Sequence, residues 1–162
     1  MTLSALAPKR GELLWDIGSG SGSIAIEWML SDPTMRAIAI ERRGERAARI
    51  MRNAAACGVP ELRVTAAAAP AALAELPTPD AIFIGGGASE AGVLDGAARA
   101  LRPGGRLVVN AVTLETETLL LGRHAVLGGE LLRLAVSRAE PLGEKIGWRA
   151  AMPVTQWKWI KP

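Results

Sequence analysis

Leu13-Leu14-Trp15-Asp16-Ile17-Gly18-Ser19-Gly20-Ser21-Gly22-Ser23 is the stretch that decides the fold. An apolar run ends around an acid, and three glycines follow at alternate positions. Ile24-Ala25-Ile26-Glu27-Trp28-Met29-Leu30 then reads as a helix. Strand, glycine loop and helix in that order are how an α/β sheet offers backbone N–H groups to a small ligand at a strand's carboxyl end. Glycine lets the backbone approach that ligand closely and take dihedrals that a Cβ forbids.

Spacing narrows the ligand. A dinucleotide fingerprint needs G-x-G-x-x-G or G-x-G-x-x-A. Gly18 and Gly20 satisfy its first half, but Ser23 stands at the third position and the third glycine is Gly22. The resulting D-x-G-x-G-x-G resembles motif I of the class I S-adenosylmethionine-dependent methyltransferases. That resemblance implies S-adenosylmethionine as cofactor, bound through Asp16, Gly18, Ser19, Gly20, Ser21 and Gly22. A tight turn in some other α/β protein is the plain alternative.

The next acid supports the first reading. Ala37-Ile38-Ala39-Ile40-Glu41 is apolar without alternation, as a parallel strand buried on both faces should be. Glu41 ends that strand, where a carboxylate accepts both hydroxyls of an unphosphorylated ribose, as in S-adenosylmethionine or NAD. Ala67-Ala68-Ala69 follows a third strand and should flank the adenine. Ala68 and Ala69 offer only main chain and an apolar wall there.

The rest of the chain alternates. Residues 2–7 read as the tail of a helix stopped near Pro8, with almost no beginning, and so as part of a segment cut from a longer chain. Strands are expected at about 12–17, 37–41, 62–66, 80–84 and 106–110. Helices are expected at 22–31, 44–57, from the alanine-rich stretch at Pro70, at 90–101 and at 115–127. Arg46, Arg49 and Arg52 read as a solvated helix face. The last two strands, 130–138 and 151–160, have no helix between them and must run antiparallel, because a parallel return needs a crossover of about a dozen residues. The expectation is one Rossmann-like domain over 1–162 with a seven-stranded, mostly parallel sheet.

Composition bounds the function. The 162 residues are 49% hydrophobic and carry 19 Lys+Arg against 16 Asp+Glu, a net charge of +3. So weak an excess does not argue for a nucleic-acid groove. Cys57 and His124 are single, which rules out an internal disulfide and a common zinc site. No apolar run reaches ~20 residues and no signal-peptide pattern opens the chain, so a soluble cytoplasmic protein without a membrane partner is expected. There is no N-P-P-Y after strand 4, and Cys57 lies on the helix after strand 2, away from the reacting edge. If the acceptor is an electron-rich carbon, the enzyme has only to align it and exclude water.

Leu14 through Trp28, Phe83-Ile84-Gly85-Gly86-Gly87 after strand 4, and the Val154–Ile160 strand after Pro153 together resemble one family: the decarboxylating precorrin methyltransferases of cobalamin biosynthesis. The likeness covers nearly the whole chain. It implies methyl transfer to C15 of a precorrin with loss of CO2 from the C12 acetate, a homotetramer, and fusion upstream to a second methyltransferase domain. Two departures stand out. Family members carry a threonine and a Lys/Arg-Glu-x-x-Arg stretch just before the segment that begins here at about Leu3, and Asn-Pro-Val where this chain has Met152-Pro153-Val154.

A flat polycarboxylate macrocycle needs cations and an apolar floor. The loop joining strands 6 and 7, Pro141 to Arg149, is expected at the glycine-loop edge, with Lys145 and Arg149 to meet carboxylates and Trp148 to stack on the ring. Gly85 is assigned to the cofactor, and Gly86 and Gly87 to the substrate. Asn110 and Thr113, at the end of strand 5, either face the substrate or cap the next helix. Two other readings stay open: a class I methyltransferase for another small molecule or an RNA base, and a binding domain or NAD enzyme on the same fold.

Overall fold

The computed structural model describes all 162 residues. The elements run α1 (Thr2–Leu6), β1 (Leu13–Ile17), α2 (Ser23–Leu30), β2 (Arg36–Ile40), α3 (Gly44–Ala56), β3 (Arg63–Thr65), β4 (Ala81–Ile84), α4 (Val93–Ala100), β5 (Arg106–Ala111), α5 (Leu114–Leu127), β6 (Glu130–Leu134), β7 (Ser137–Leu142), β8 (Lys145–Ala150) and β9 (Val154–Ile160). One seven-stranded sheet has the order β3-β2-β1-β4-β5-β9-β6, and β7 and β8 form a separate ladder. β9 is antiparallel to both neighbours and the remaining pairs β3-β2-β1-β4-β5 are parallel. The expected Rossmann-like methyltransferase sheet is therefore present.

Alternation along the strands divides the core. Trp15, Ile17, Ile38, Ile40, Ile82, Ile84, Leu107 and Val109 face α4 and α5. Leu14, Ala37, Ala39, Ala81, Phe83 and Val108 face α1, α2 and α3. The second face is rich in alanine, which leaves room for Trp28 of α2 to lie fully buried against it.

Two expectations fail, each for a local reason. The alanine-rich helix at Pro70 is a single 3-10 turn, Ala71–Leu73. Pro77 and Pro79 leave too few residues for a stable helix before β4, and helix propensity cannot offset nucleation over so short a span. The strand expected over 130–138 breaks after Leu134, and the chain leaves the sheet as the β7–β8 hairpin. That hairpin departs from the same sheet edge as the glycine loop, because β6 runs parallel to β1, as expected.

The opposite edge is held by charge. Arg106, buried at the start of β5, donates two hydrogen bonds to the Glu12 carboxylate, at 2.5 and 2.7 Å. It also donates to the carbonyls of Leu6 and Ala7 at 2.9 and 3.1 Å. Those carbonyls end α1, where Ala7 is the one non-glycine residue with positive φ, 46°. The guanidinium thus satisfies helix-end acceptors that α1 cannot satisfy itself and docks α1, whose Leu6 is fully buried. Burial alone would raise the Glu12 carboxyl, but the Arg106 hydrogen bonds and charge and the Lys9 amide outweigh it and leave it below the usual carboxylate value.

Arg106→Ala strips a buried carboxylate of its main partner and should cost about 3–5 kcal/mol, read from urea unfolding. The sign of the pH dependence follows from the depressed Glu12 value. Its contribution is present above the ordinary carboxylate range and lost as pH falls below it, so the acid-labile part of the stability should shrink in Arg106→Ala.

Candidate active site

Sheet order places the site. The chain reverses direction across the sheet between β1 and β4, and the loops that follow these two strands meet at their carboxyl ends. The contact is backbone on backbone: a Cβ on Gly18 (φ 69°) would lie 2.5 Å from the Gly86 oxygen. Gly85 donates its amide to Ile17 O at 3.0 Å and extends the ladder, while Gly86 and Gly87 line a cleft. The other walls of this cleft are Ile17, Gly18, Ile40, Glu41, Arg42, Arg43, Arg46, Ala67, Ala68, Ala69, Glu90 and Val93, and its volume is about 160 Å³.

The glycine loop is organised by two carboxylates. Asp16, fully buried, accepts from the Ser19 hydroxyl at 2.7 Å and from the Ala25 amide at 3.2 Å. Ala25 lies in the first turn of α2, whose N-cap is Gly22, with no side chain to offer. Asp16 therefore caps the helix from the preceding strand and complements its dipole. Glu41 accepts from the Gly20 amide at 3.1 Å and from the Arg43 amide at 3.0 Å. From outside, Arg49 donates to the Gly20 carbonyl and Asn53 to the Ser21 carbonyl, at 3.3 and 2.9 Å.

Four of the loop's amides are engaged within the protein. The amides of Gly18 and Ser19 donate to Ile40 O, that of Gly20 to Glu41, and that of Gly22 to Ser19 O. The loop curls onto the end of β2 and turns towards the cleft without those donors. A pyrophosphate at the start of α2 would lie beside the buried Asp16 carboxylate. The site suits a ligand that is cationic there and carries ribose hydroxyls for Glu41, whose carboxylate has acceptor capacity beyond its two bonds. A buried oxygen of Asp16, Oδ1, has no partner, and the Gly18–Gly86 contact forms a cradle that a side chain would fill. Both features fit the nucleoside and amino-acid halves of S-adenosylmethionine.

Other predicted residues are placed differently. Asn110 spends its amide on Thr2 Oγ1 and on Gln156, and Thr113 caps α5 by accepting from the Thr116 amide. Lys145, Trp148 and Arg149 lie on a strand, not in a loop. Period-two alternation puts Lys145 and Arg149 on one face of the hairpin and Trp148 on the other, so one flat ligand surface cannot meet all three. Trp148 is 79% exposed, and Arg149 pairs with Glu140 at 3.0 Å. Arg46, Arg49 and Arg52 are all exposed, as a solvated helix face should be, and Arg46 also borders the cleft while Arg49 clamps the loop. Arg42, Arg43, Glu90 and Val93 were not foreseen. Arg42 was within reach, since it follows Glu41 at the strand end. Glu90 carries no pattern of its own.

Burial pushes the Asp16 carboxyl from an ordinary 3.8 up to about 6; the Ser19 and Ala25 hydrogen bonds oppose it and the Glu41 charge adds to it. A raised carboxyl contributes stability that is full below its unfolded value and lost as pH rises through the folded one. Asp16→Asn keeps an acceptor for Ser19 and Ala25 but does not ionise. Between pH 4 and 7 the difference in unfolding free energy between the two proteins should move by roughly 2 kcal/mol in favour of the variant. Parallel unfolding curves across that range would remove Asp16 as the titrating group.

Comparison with known proteins gives a consistent result. A family model described as a precorrin methyltransferase domain matches residues 1–161. The chain is 65% identical over 161 residues to a precorrin-6Y C(5,15)-methyltransferase [decarboxylating] of Sinorhizobium sp., covering 99% of this chain and 39% of that one. It is 33% identical to the cobalt-precorrin-6B C(15)-methyltransferase (decarboxylating) of Salmonella typhimurium, covering 88% and 76% of the two chains. The crystal structure of the C-terminal domain of precorrin-6Y C5,15-methyltransferase from Rhodobacter capsulatus superposes with a TM-score of 0.92 at 53% identity, over 99% of this chain and 86% of that one. The chain spans about two fifths of the length of the Sinorhizobium relative.

Proposed function

The chain belongs to the precorrin methyltransferase domain family, and from that premise we propose that it methylates C15 of a precorrin and removes CO2 from the C12 acetate, with S-adenosylmethionine as methyl donor. The observation that carries the cofactor reading is the acid-organised glycine loop: the amides of Gly18, Ser19, Gly20 and Gly22 are spent within the protein, and Asp16 already accepts from the first turn of α2. That environment disfavours a dinucleotide pyrophosphate and favours a cationic donor. The same observation argues against the NAD alternative. The 16 acids against 19 bases argue against an RNA acceptor.

When bound, S-adenosylmethionine supplies an electrophilic methyl group. The protein's part is to hold and orient. Glu41 would accept from the ribose hydroxyls, and Ala68, Ala69 and Val93 would flank the base; Gly18 and Gly86 let the two loops of the cleft wall close without a side chain between them. No general base is assigned, because a conjugated macrocycle provides its own nucleophilic carbon and its own electron sink for the departing carboxylate. Lys145 and Arg149, on one face of the hairpin, are proposed to meet peripheral carboxylates. The proposal includes a cytoplasmic homotetramer and fusion upstream to a second methyltransferase unit. No helix of the chain is long and apolar enough to cross a membrane.

Incubation with the purified tetrapyrrole and S-adenosylmethionine should give a product heavier by one methyl group and lighter by CO2 in mass spectrometry. A product that keeps every carboxylate would reject the decarboxylating assignment, and calorimetric binding of NAD without S-adenosylmethionine would reject the methyltransferase reading.

Lys145→Ala with Arg149→Ala should raise KM for the tetrapyrrole at least ten-fold and leave kcat within about three-fold, the pattern of lost uniform binding. An unchanged KM would take the hairpin out of the substrate site.

A further inference from the structure

Between the cleft and the hairpin, the carboxyl edge of the sheet carries an apolar patch. Val112 follows β5 directly, Leu114 opens α5 and Met152 leads into β9, and they are 55%, 78% and 67% exposed. Topology brings them together. β4 and β5 pair in parallel with Ile84 level with Val109. Continuing that register sets Val112 level with Gly87 of the cleft wall, one strand spacing or about 4.8 Å to the side. β5 and β9 pair antiparallel with Ala111 opposite Thr155, so Val112 next meets Val154, and Leu114 and Met152 leave the pair on the same edge. The Ala151 amide donates to Val136 O at 2.8 Å and ties the Met152 segment to the root of the hairpin. Neighbouring polar groups are spent on one another. Thr113 caps α5 through the Thr116 amide, and Arg133 of β6 and the Thr155 hydroxyl both donate to Glu117.

Clustered exposed apolar side chains beside a ligand cleft mark a surface that another molecule covers. Here the patch is continuous with the cofactor cleft on one side and bordered by the hairpin cations on the other, which fits an acceptor with an apolar ring and an anionic periphery. In a precorrin, C15 is bonded to the same pyrrole ring that carries the C12 acetate, so the carbon that gains the methyl and the group that leaves are close neighbours. We propose that Val112, Leu114 and Met152 seat the C12 acetate and promote its loss by stripping water from its carboxylate. The inference rests on the precorrin reading of the chain. An ionised carboxylate against hydrocarbon, with no cation or hydroxyl to replace its water, is raised in energy, whereas the departing CO2 is neutral and loses little. The bond between the acetate methylene and its carboxylate breaks. The electron pair stays on the methylene carbon and spreads into the conjugated ring, CO2 departs, and water supplies the proton that completes a methyl group. A cation in this place would hold the carboxylate and slow the step, so Lys145 and Arg149 serve the other carboxylates.

The test follows CO2 release and methyl transfer separately, with the purified tetrapyrrole and S-adenosylmethionine, in wild type, Leu114→Gln, Met152→Gln and Met152→Leu. Both glutamine variants should lower kcat for CO2 release by about ten-fold or more and leave KM within about three-fold, because the lost effect acts on the carboxylate that leaves. Met152→Leu keeps the hydrocarbon and should release CO2 within about two-fold of wild type. The exchanged side chains are exposed, so the melting temperature and the calorimetric affinity for S-adenosylhomocysteine should stay as in wild type. CO2 release at the wild-type rate in both glutamine variants, or a raised KM with kcat unchanged, would overturn the proposal. So would a Met152→Leu variant as slow as Met152→Gln, or glutamine variants that lose S-adenosylhomocysteine, which would assign the patch to the cofactor. A wild-type protein that releases no CO2 would reject the decarboxylating methyltransferase reading itself, and that result is distinct from variants that match an active wild type.

Discussion

A single buried carboxylate ties together the parts on which this site depends. Asp16 sits near the end of β1, accepts from Ser19 in the loop and caps α2 through Ala25. A capping serine in the loop would leave the helix start to local chemistry. Here the cap comes from the sheet, so strand, loop and helix share one hydrogen-bonded group. The cost of burying it appears as its elevated pKa. Glu41 adds to that cost by its charge while holding the other side of the loop. Two acids so close are tolerated because each is engaged by donors of the backbone it organises.

The sheet also separates duties between its edges. Arg106, Glu12, Arg102 and Asp80 form the ion-paired amino edge, with Arg102 bridging Asp80 at 2.8 Å. The cleft, the glycine loop and the hairpin occupy the carboxyl edge. Substitutions in the cleft therefore leave the anchor of α1 intact, and the anchor can fail without touching a cleft residue.

Much of this was legible in the chain, and the limits have physical causes. Buried parallel strands read as apolar runs, and β1, β2, β4 and β5 stand within a residue or so of where their composition puts them. D-x-G-x-G-x-G and the acid ending β2 locate the cleft, because both lie next to a strand end and need no knowledge of distant packing. The alanine-rich stretch after β3 misleads, since propensity counts residues one at a time and ignores the prolines that shorten the segment. The hairpin misleads because strand composition does not reveal where a strand leaves its sheet. Arg106 and Glu90 are invisible in sequence: each earns its place through a partner some 50 to 90 residues away.

The Gly18–Gly86 contact has one more consequence. Where two backbones touch with no side chain between them, there is nothing to compress and nothing to rotate aside. The loop after β4 cannot shift without pushing on the glycine loop. The two sides of the cleft then share one mechanical wall, so a ligand that set its position on one side would set it for the other. By linkage, each ligand changes the other's affinity by the same factor.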